Sequence, residues 1–375
     1  MLKNPFEPEK TDKPSVENNV QEIVESPAEE RSLDIEKTEE KTEFNLADTF
    51  KSIDSNYVYT PSTKQVKLDR RNVEKELTDD EYQARLAELN TNAHNKHYVL
   101  FFGRPASGKT WIIGSILHYM KNFLGGVVYL DTQKTTESEE ELFYQLQDRF
   151  SGIIGAQKLT STESKQYFEL HISFTPNDPS KPPMDIIFVD ASGEHSEKAM
   201  SKRGDKEAGK LPNYLTAILE SDVNTKLAFV YDQSIQDEAG HIPQINTLNA
   251  VFTQIQHIQN SQGKKFPKAL LLSKADKIFA TDMASVERAG YDPMVYAINK
   301  IPSFANSFFN EDAENKTIFY KMGKFSVNSD LVLEFDKECP EKLFRWIYMT
   351  GTGGTSPVQE PTFWDKFKRW FSGAN

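Results

Sequence analysis

One stretch in the first third of the chain limits what the rest can become. Residues 98–117 read YVLFFGRPASGKTWIIGSIL. Tyr98 to Phe102 are apolar or aromatic throughout, as suits a short buried strand. Gly103-Arg104-Pro105-Ala106-Ser107-Gly108-Lys109-Thr110 follows and matches G-x-x-x-x-G-K-[ST], and a helical pattern begins at once. Strand, glycine loop and helix in that order give the motif its meaning. Backbone N–H groups from Gly103, Ala106, Ser107 and Gly108 can converge on phosphate oxygens, and Lys109 neutralises charge near the terminal phosphates. Thr110 offers a hydroxyl to Mg2+, while the helix that follows turns its positive end toward the anion. The stretch predicts a nucleotide site.

At 375 residues the chain is long enough to bury a sizeable core without covalent staples. The net charge of −12 is unevenly spread. Residues 1–50 carry 14 acidic and six basic side chains, a net of −8, which leaves −4 for everything else. A general nucleic-acid binder would carry a basic surface, so no nucleic acid is expected as partner. Cys339 is the sole cysteine, which excludes a disulfide framework and a thiolate metal site. The opening residues, Asn4 to Glu9, lack the apolar core of a signal peptide. No run approaches the roughly 18 apolar residues of a membrane span. A cytoplasmic protein is the expectation.

The order of patterns implies an α/β fold, a three-layer arrangement around a mostly parallel central sheet. Residues 1–60 are rich in Glu, Lys, Thr, Ser and Pro and read as a disordered acidic tail. Residues 61–96 form a helical extension, in which Thr78-Asp79-Asp80-Glu81 is a capping-box signature. The main domain spans 97–349. Within it, Val127–Leu130 reads as a strand, polar Gln133–Glu141 leads into a helix through Phe150, and Phe168–Phe174 alternates like a strand with one solvated face. Ile186-Ile187-Phe188-Val189 is a continuous apolar run, as in a central parallel strand covered on both sides. Leu227–Tyr231 and Ala269–Leu272 are further buried strands, and the last is sought in Thr317–Tyr320 and Lys324–Val327. Pro340 opens a final helix, since crossovers between parallel strands need helices.

Two strand ends carry chemistry. Asp190-Ala191-Ser192-Gly193 closes the apolar run, where an acidic residue beside a phosphate loop gives a second handle on Mg2+. Gly193 offers an N–H that can approach a terminal phosphate without a Cβ in the way. Ser273-Lys274-Ala275-Asp276 closes the strand at Leu272. Phosphate loop, Asp-x-x-Gly and Ser-Lys-Ala-Asp, in that order, resemble the motifs of Ras-like GTPases over residues 97–349, with an atypical, bacterial cast similar to the double-GTPase group. The resemblance implies GTP and GDP as ligands with Mg2+. It assigns Asp276 to guanine N1–H and the 2-amino group, a donor pair that adenine lacks, and lays Lys274 along the base plane.

Several positions depart from the family pattern. Ser273 stands where Asn or Thr is usual, which is expected to loosen the link between base loop and phosphate loop. The threonine closing over Mg2+ is taken as Thr136, with Thr135, Thr132, Thr160 and Thr162 as alternatives. After Gly193, where Gln or His usually orients the attacking water, come Glu194 and His195. A carboxylate there is repelled by a triphosphate, so hydrolysis is expected to be slow. His195 is either a substitute or an uninvolved surface histidine. Pro105 removes one N–H from the phosphate loop. The fifth base-binding motif is placed at Ser326-Val327. The resemblance implies a slow GTPase acting as a switch read by an effector or regulatory protein. A P-loop ATPase or small-molecule kinase, or a scaffold stabilised by nucleotide, are the alternatives.

Residues 350–361 read as a flexible linker, and 362–375 as a short amphipathic helix. Phe363, Phe367 and Trp370 share a face, and Lys366, Lys368 and Arg369 add positive charge. That combination suits the inner membrane surface as a peripheral contact, a groove on a partner, or packing on its own domain. Membrane contact predicts that the full chain pellets with anionic liposomes while a 1–356 truncation stays in the supernatant. Equal pelleting of the two removes it.

Overall fold

The computed structural model describes residues 71–72, 77–152, 166–200, 209–234, 243–312, 314–326, 331–354 and 356–357. The chain divides into two units, 1–65 and 66–375, and every described residue lies in the second. The acidic tail, Thr160, Thr162, Val327 and the aromatic residues Phe363, Phe367 and Trp370 lie outside the described residues.

The strands run β1 (Arg71–Asn72), β2 (Lys96–Phe102), β3 (Gly126–Leu130), β4 (Gln166–Pro176), β5 (Met184–Ala191), β6 (Asn224–Asp232), β7 (Lys268–Ser273) and β8 (Lys316–Tyr320). They form one eight-stranded sheet in the order β1-β4-β5-β2-β6-β7-β8, with β3 also on β4. From β5 to β8 every pairing is parallel, while β4 is antiparallel to β5. β2 sits at the centre, and all its residues after Lys96 are buried. Its apolar run follows from that position, since a strand flanked by two neighbours and covered by helices meets no water. β5 is parallel on one side only, a difference from the sequence reading. Its other neighbour, β4, arrives antiparallel.

Helices cover both faces. One side carries α1 (Asp79–Asn90), α5 (Asn213–Glu220), α6 (Gln244–Gln262), α9 (Pro293–Lys300) and α10 (Pro302–Glu311). Phe229 of the sheet meets Phe252, Phe304 and Phe308 there, with ring centroids 5.4–5.8 Å apart. The opposite side carries α2 (Lys109–Phe123), α3 (Glu137–Phe150) and α11 (Glu338–Gly351). Three short helices, α4 (Gly193–Glu197), α7 (Ala275–Thr281) and α8 (Met283–Arg288), follow strand ends or link longer ones. A separate hairpin pairs β9 (Gly323–Phe325) with β10 (Val332–Phe335). The last strand of the sheet is therefore β8 alone, and Lys324 belongs to the hairpin. Helix α11 starts at Glu338 and takes in Thr350 and Gly351, which the sequence assigned to a linker. A Cβ on Gly351 would lie 2.4 Å from Met184 Cε and 2.9 Å from His97 Nδ1, so this helix end is packed against the sheet.

The alternation in β4 misled in one respect. Glu169, on the face expected to be solvated, is 1% exposed. Helix α1 covers it. The helix starts where Thr78 accepts from Glu81 N–H and Glu81 accepts in return from Thr78 N–H, a capping box. From α1, Arg85 reaches Glu169 at 2.6 Å, and the Tyr82 hydroxyl donates to Glu220 at 2.7 Å. Removing one member of a buried pair takes the close counter-charge from the other, at a cost of roughly 3 kcal/mol. We expect Arg85→Leu to lower the urea midpoint accordingly. An Arg85→Leu/Glu169→Leu double variant should recover most of the loss, whereas additive losses would show that the pair is not the cause.

Candidate functional site

Parallel register brings several strand ends to one edge of the sheet. Phe102 pairs with Phe229, Leu100 with Val189 and Asp232 with Ser273, so the segments that follow them emerge together. Such an edge is where α/β sheets bind ligands. A cavity of about 590 Å³ lies there, lined by residues 105–112, Asp190–Gly193, Ser273, Lys274, Asp276 and the stretch around Tyr320–Phe325.

The loop leaving β2 is held open by unusual backbone. Ala106 has φ 62° and Gly108 φ 94°, and Gly108 caps α2 without a side chain to block its N-terminal N–H groups. Lys109 folds back beneath the loop and donates to the carbonyls of Gly103 and Arg104, each at 3.1 Å. It is buried, and burial pushes its ammonium down to about 8, against the pull of Asp190 and Glu197. A phosphate would supply the negative charge that this ammonium lacks. Thr110 Oγ1 donates to Asp190 Oδ2 at 2.8 Å, which sets a hydroxyl beside a buried carboxylate at the mouth of α2. Two hard oxygen donors suit Mg2+, which takes one or two protein ligands and completes its shell with phosphate and water.

The loop after β7 is tied to the phosphate loop. Ser273 Oγ donates to the carbonyls of Ser107 at 3.0 Å and Tyr231 at 3.2 Å. The link that serine was expected to loosen is thus made. Lys274, at φ 54°, spans the same gap, reaching Ala106 O at 3.2 Å and Asp232 Oδ2 at 2.5 Å. Asp232 is fully buried and also accepts from Ser234 N–H and Oγ–H. Asp276 stands exposed in the first turn of α7, on the cavity rim.

A family model for Double-GTPase 2 matches residues 97–318, more than half of the chain. The chain belongs to that family. The match begins at the strand that feeds the phosphate loop and ends within β8. A search of curated proteins finds no match. Among solved structures, this double-GTPase is similar to a dimerization-deficient mutant of Toc33 from Arabidopsis thaliana, at 12% identity and TM-score 0.33, covering 73% of this chain and 93% of that one. It is similar to the GTP-bound Ski7 GTPase-like domain of S. cerevisiae at 16% identity and TM-score 0.32, over 60% and 42% of the two chains. The SRb-GTP/SRX complex of Chaetomium thermophilum matches at 14% and 0.32, over 67% and 96%.

Not every expected residue reaches the cavity of this double-GTPase. Thr136 is the N-cap of α3, where its hydroxyl contacts Glu139 in a second capping box, and it is not among the lining residues. The signature Thr136-x-x-Glu139 was visible in the sequence and explains the threonine without a metal. Thr135 donates to Asp131 O instead. Glu194 is exposed and His195 is 1% exposed, and neither lines the cavity. His195 Nδ1 lies 2.8 Å from the Tyr214 hydroxyl, so it is a packed histidine, not a surface one. Gly193 does line the cavity, but its tight neighbour is the phosphate loop itself. A Cβ there would fall 2.0 Å from Pro105 N. Ser326 sits in the hairpin, its N–H bonded to Leu331 O, and the wall is built instead by Tyr320, Lys321, Met322 and Phe325. Those four, with Trp111 and Asp232, were missed because no motif marks them.

The depressed Lys109 ammonium has a pH signature. Between pH 8 and its ordinary value of 10.5 the unfolded chain holds a proton that the folded chain has released, so stability rises with pH across that window. Below pH 8 the full penalty is present. Nucleotide-free wild type should therefore gain on the order of 3 kcal/mol relative to Lys109→Met from pH 8 to 10.5. Chemical denaturation of both proteins at several pH values measures it, and parallel curves would contradict the assignment.

Proposed function

We propose that this chain is a Mg2+-dependent guanine-nucleotide switch that hydrolyses GTP slowly. The observation that carries the reading is the exposed carboxylate of Asp276 on the rim of the cavity whose other end is the phosphate loop. Ser273 and Lys274 tie those two ends together. A carboxylate accepts from guanine N1–H and the 2-amino group together, and adenine has no such pair. Membership of the double-GTPase 2 family supports the same ligand.

In this reading Lys109 and the N–H groups of Ala106–Thr110 hold the phosphates, while the Gly103 N–H, expected to join them, lies outside the cavity and donates to Ser196 Oγ at 3.4 Å. Thr110 with Asp190 would hold the metal, which when bound neutralises charge on the phosphoryl group. Slow turnover follows from the positions after Gly193. Glu194, like in charge to the substrate, lies outside the cavity, and His195 is engaged by Tyr214. Gly193, pressed on Pro105, is where a terminal phosphate would be felt. Displacing that contact supplies two states for a partner protein to read. The C-terminal residues Phe363, Phe367 and Trp370 are proposed as a further contact with a partner groove or membrane surface. Among the described residues no helix is long and apolar enough to cross a membrane.

Competition among GTP, ATP and XTP on wild type and Asp276→Asn tests the base assignment. GTP should win on wild type, and the variant should move toward XTP. An unmoved preference, or ATP outcompeting GTP, overturns it. Single-turnover hydrolysis should run on the order of 10⁻³ s⁻¹ and vanish in Lys109→Ala.

A further inference from the structure

One wall of the cavity belongs to none of the nucleotide motifs. Phe325, at the end of β9, lines the cavity and is 39% exposed, high for a ring of that size. Trp111, the residue after Thr110, also lines it and meets Phe325 edge-on, with centroids 5.2 Å apart and planes at 87°. Met322 and Tyr320 continue the same wall. Lys274 and Asp276 stand with them around the same cavity.

The hairpin that presents Phe325 is firmly seated. On its second strand, Phe335 packs on His118 of α2 at 4.7 Å and on Phe150 of α3 at 5.7 Å. Trp111 itself rests on Phe150 at 5.8 Å. Val332 pairs with Phe325 across the hairpin, and Lys324 bridges Glu334 at 2.6 Å. Phe325, which lines the cavity, is thus backed by an aromatic cluster on two helices. A rigid ring placed beside a nucleotide site offers a flat apolar face, which any base can stack against.

We propose that hairpin β9–β10 is a base clamp, in which Phe325, backed by Trp111, contacts the nucleotide between its phosphates and the edge read by Asp276. The proposal rests on the nucleotide reading above but not on the identity of the base. Phe325 sets affinity for any nucleotide, whereas Asp276 sets the choice among them.

The test uses the full chain with Mg2+ and titrates GDP, GTP, ATP and pyrophosphate by calorimetry on wild type, Phe325→Ala, Phe325→Tyr and Trp111→Phe. Phe325→Ala should weaken GDP and GTP by a common factor of about tenfold and leave pyrophosphate unchanged. Phe325→Tyr, which keeps the ring, should bind like wild type. Nucleotide, but not pyrophosphate, should change the intrinsic tryptophan fluorescence, and Trp111→Phe should abolish that change. Unaltered GDP affinity in Phe325→Ala overturns the clamp, as does an equal loss for pyrophosphate, which would mark a general disturbance of the loop. ATP bound more tightly than GTP, with the same Phe325 dependence, would support the clamp while overturning the guanine assignment.

Discussion

The parallel register of β5, β2, β6 and β7 is the constraint on which everything else depends. Parallel strands cannot be joined by tight turns, so each must be followed by a return crossover on one face of the sheet. That requirement places the chain segments after Phe102, Ala191, Asp232 and Ser273 on a single edge. The phosphate loop and the segments that open at Asp190 and Ser273 are therefore neighbours although far apart in sequence, as the Ser273–Ser107 bond and its 166-residue span illustrate. Nothing local in any of these segments would hold it there.

Charge is distributed around that edge with economy. Lys274 answers buried Asp232, and the Thr110 hydroxyl answers Asp190. Lys109 is left with neutral carbonyls, Asp190 and Glu197 acting on it only at a distance. A buried cation whose bonded partners are dipoles is costly in the empty protein and favourable once an anion enters. The loop is accordingly built for its ligand at the expense of its own stability, a trade common at functional sites.

Elements whose environment is uniform were legible. The apolar runs of β2, β5 and β7 are buried on both faces, and the reading followed directly from hydrophobicity. Elements whose environment depends on distant partners were not. Glu169 alternates as a solvated residue would, but α1, more than 80 residues earlier, covers it with Arg85. Thr136 has the chemistry of a metal ligand, and a helix cap uses the same hydroxyl. His195 lies beside the right glycine, yet the Tyr214 hydroxyl claims its ring. Phe325 could not be found at all, because a surface aromatic in a short hairpin carries no pattern until the fold brings Trp111 against it.

The seating of Gly351 has a bearing on orientation. It packs against His97 and Met184, which open β2 and β5, so α11 delivers the chain to the end of the sheet opposite the nucleotide cavity. The last described helix thus ends away from Gly193 and Asp276, and its C-terminal turn leaves the mouth of the cavity clear.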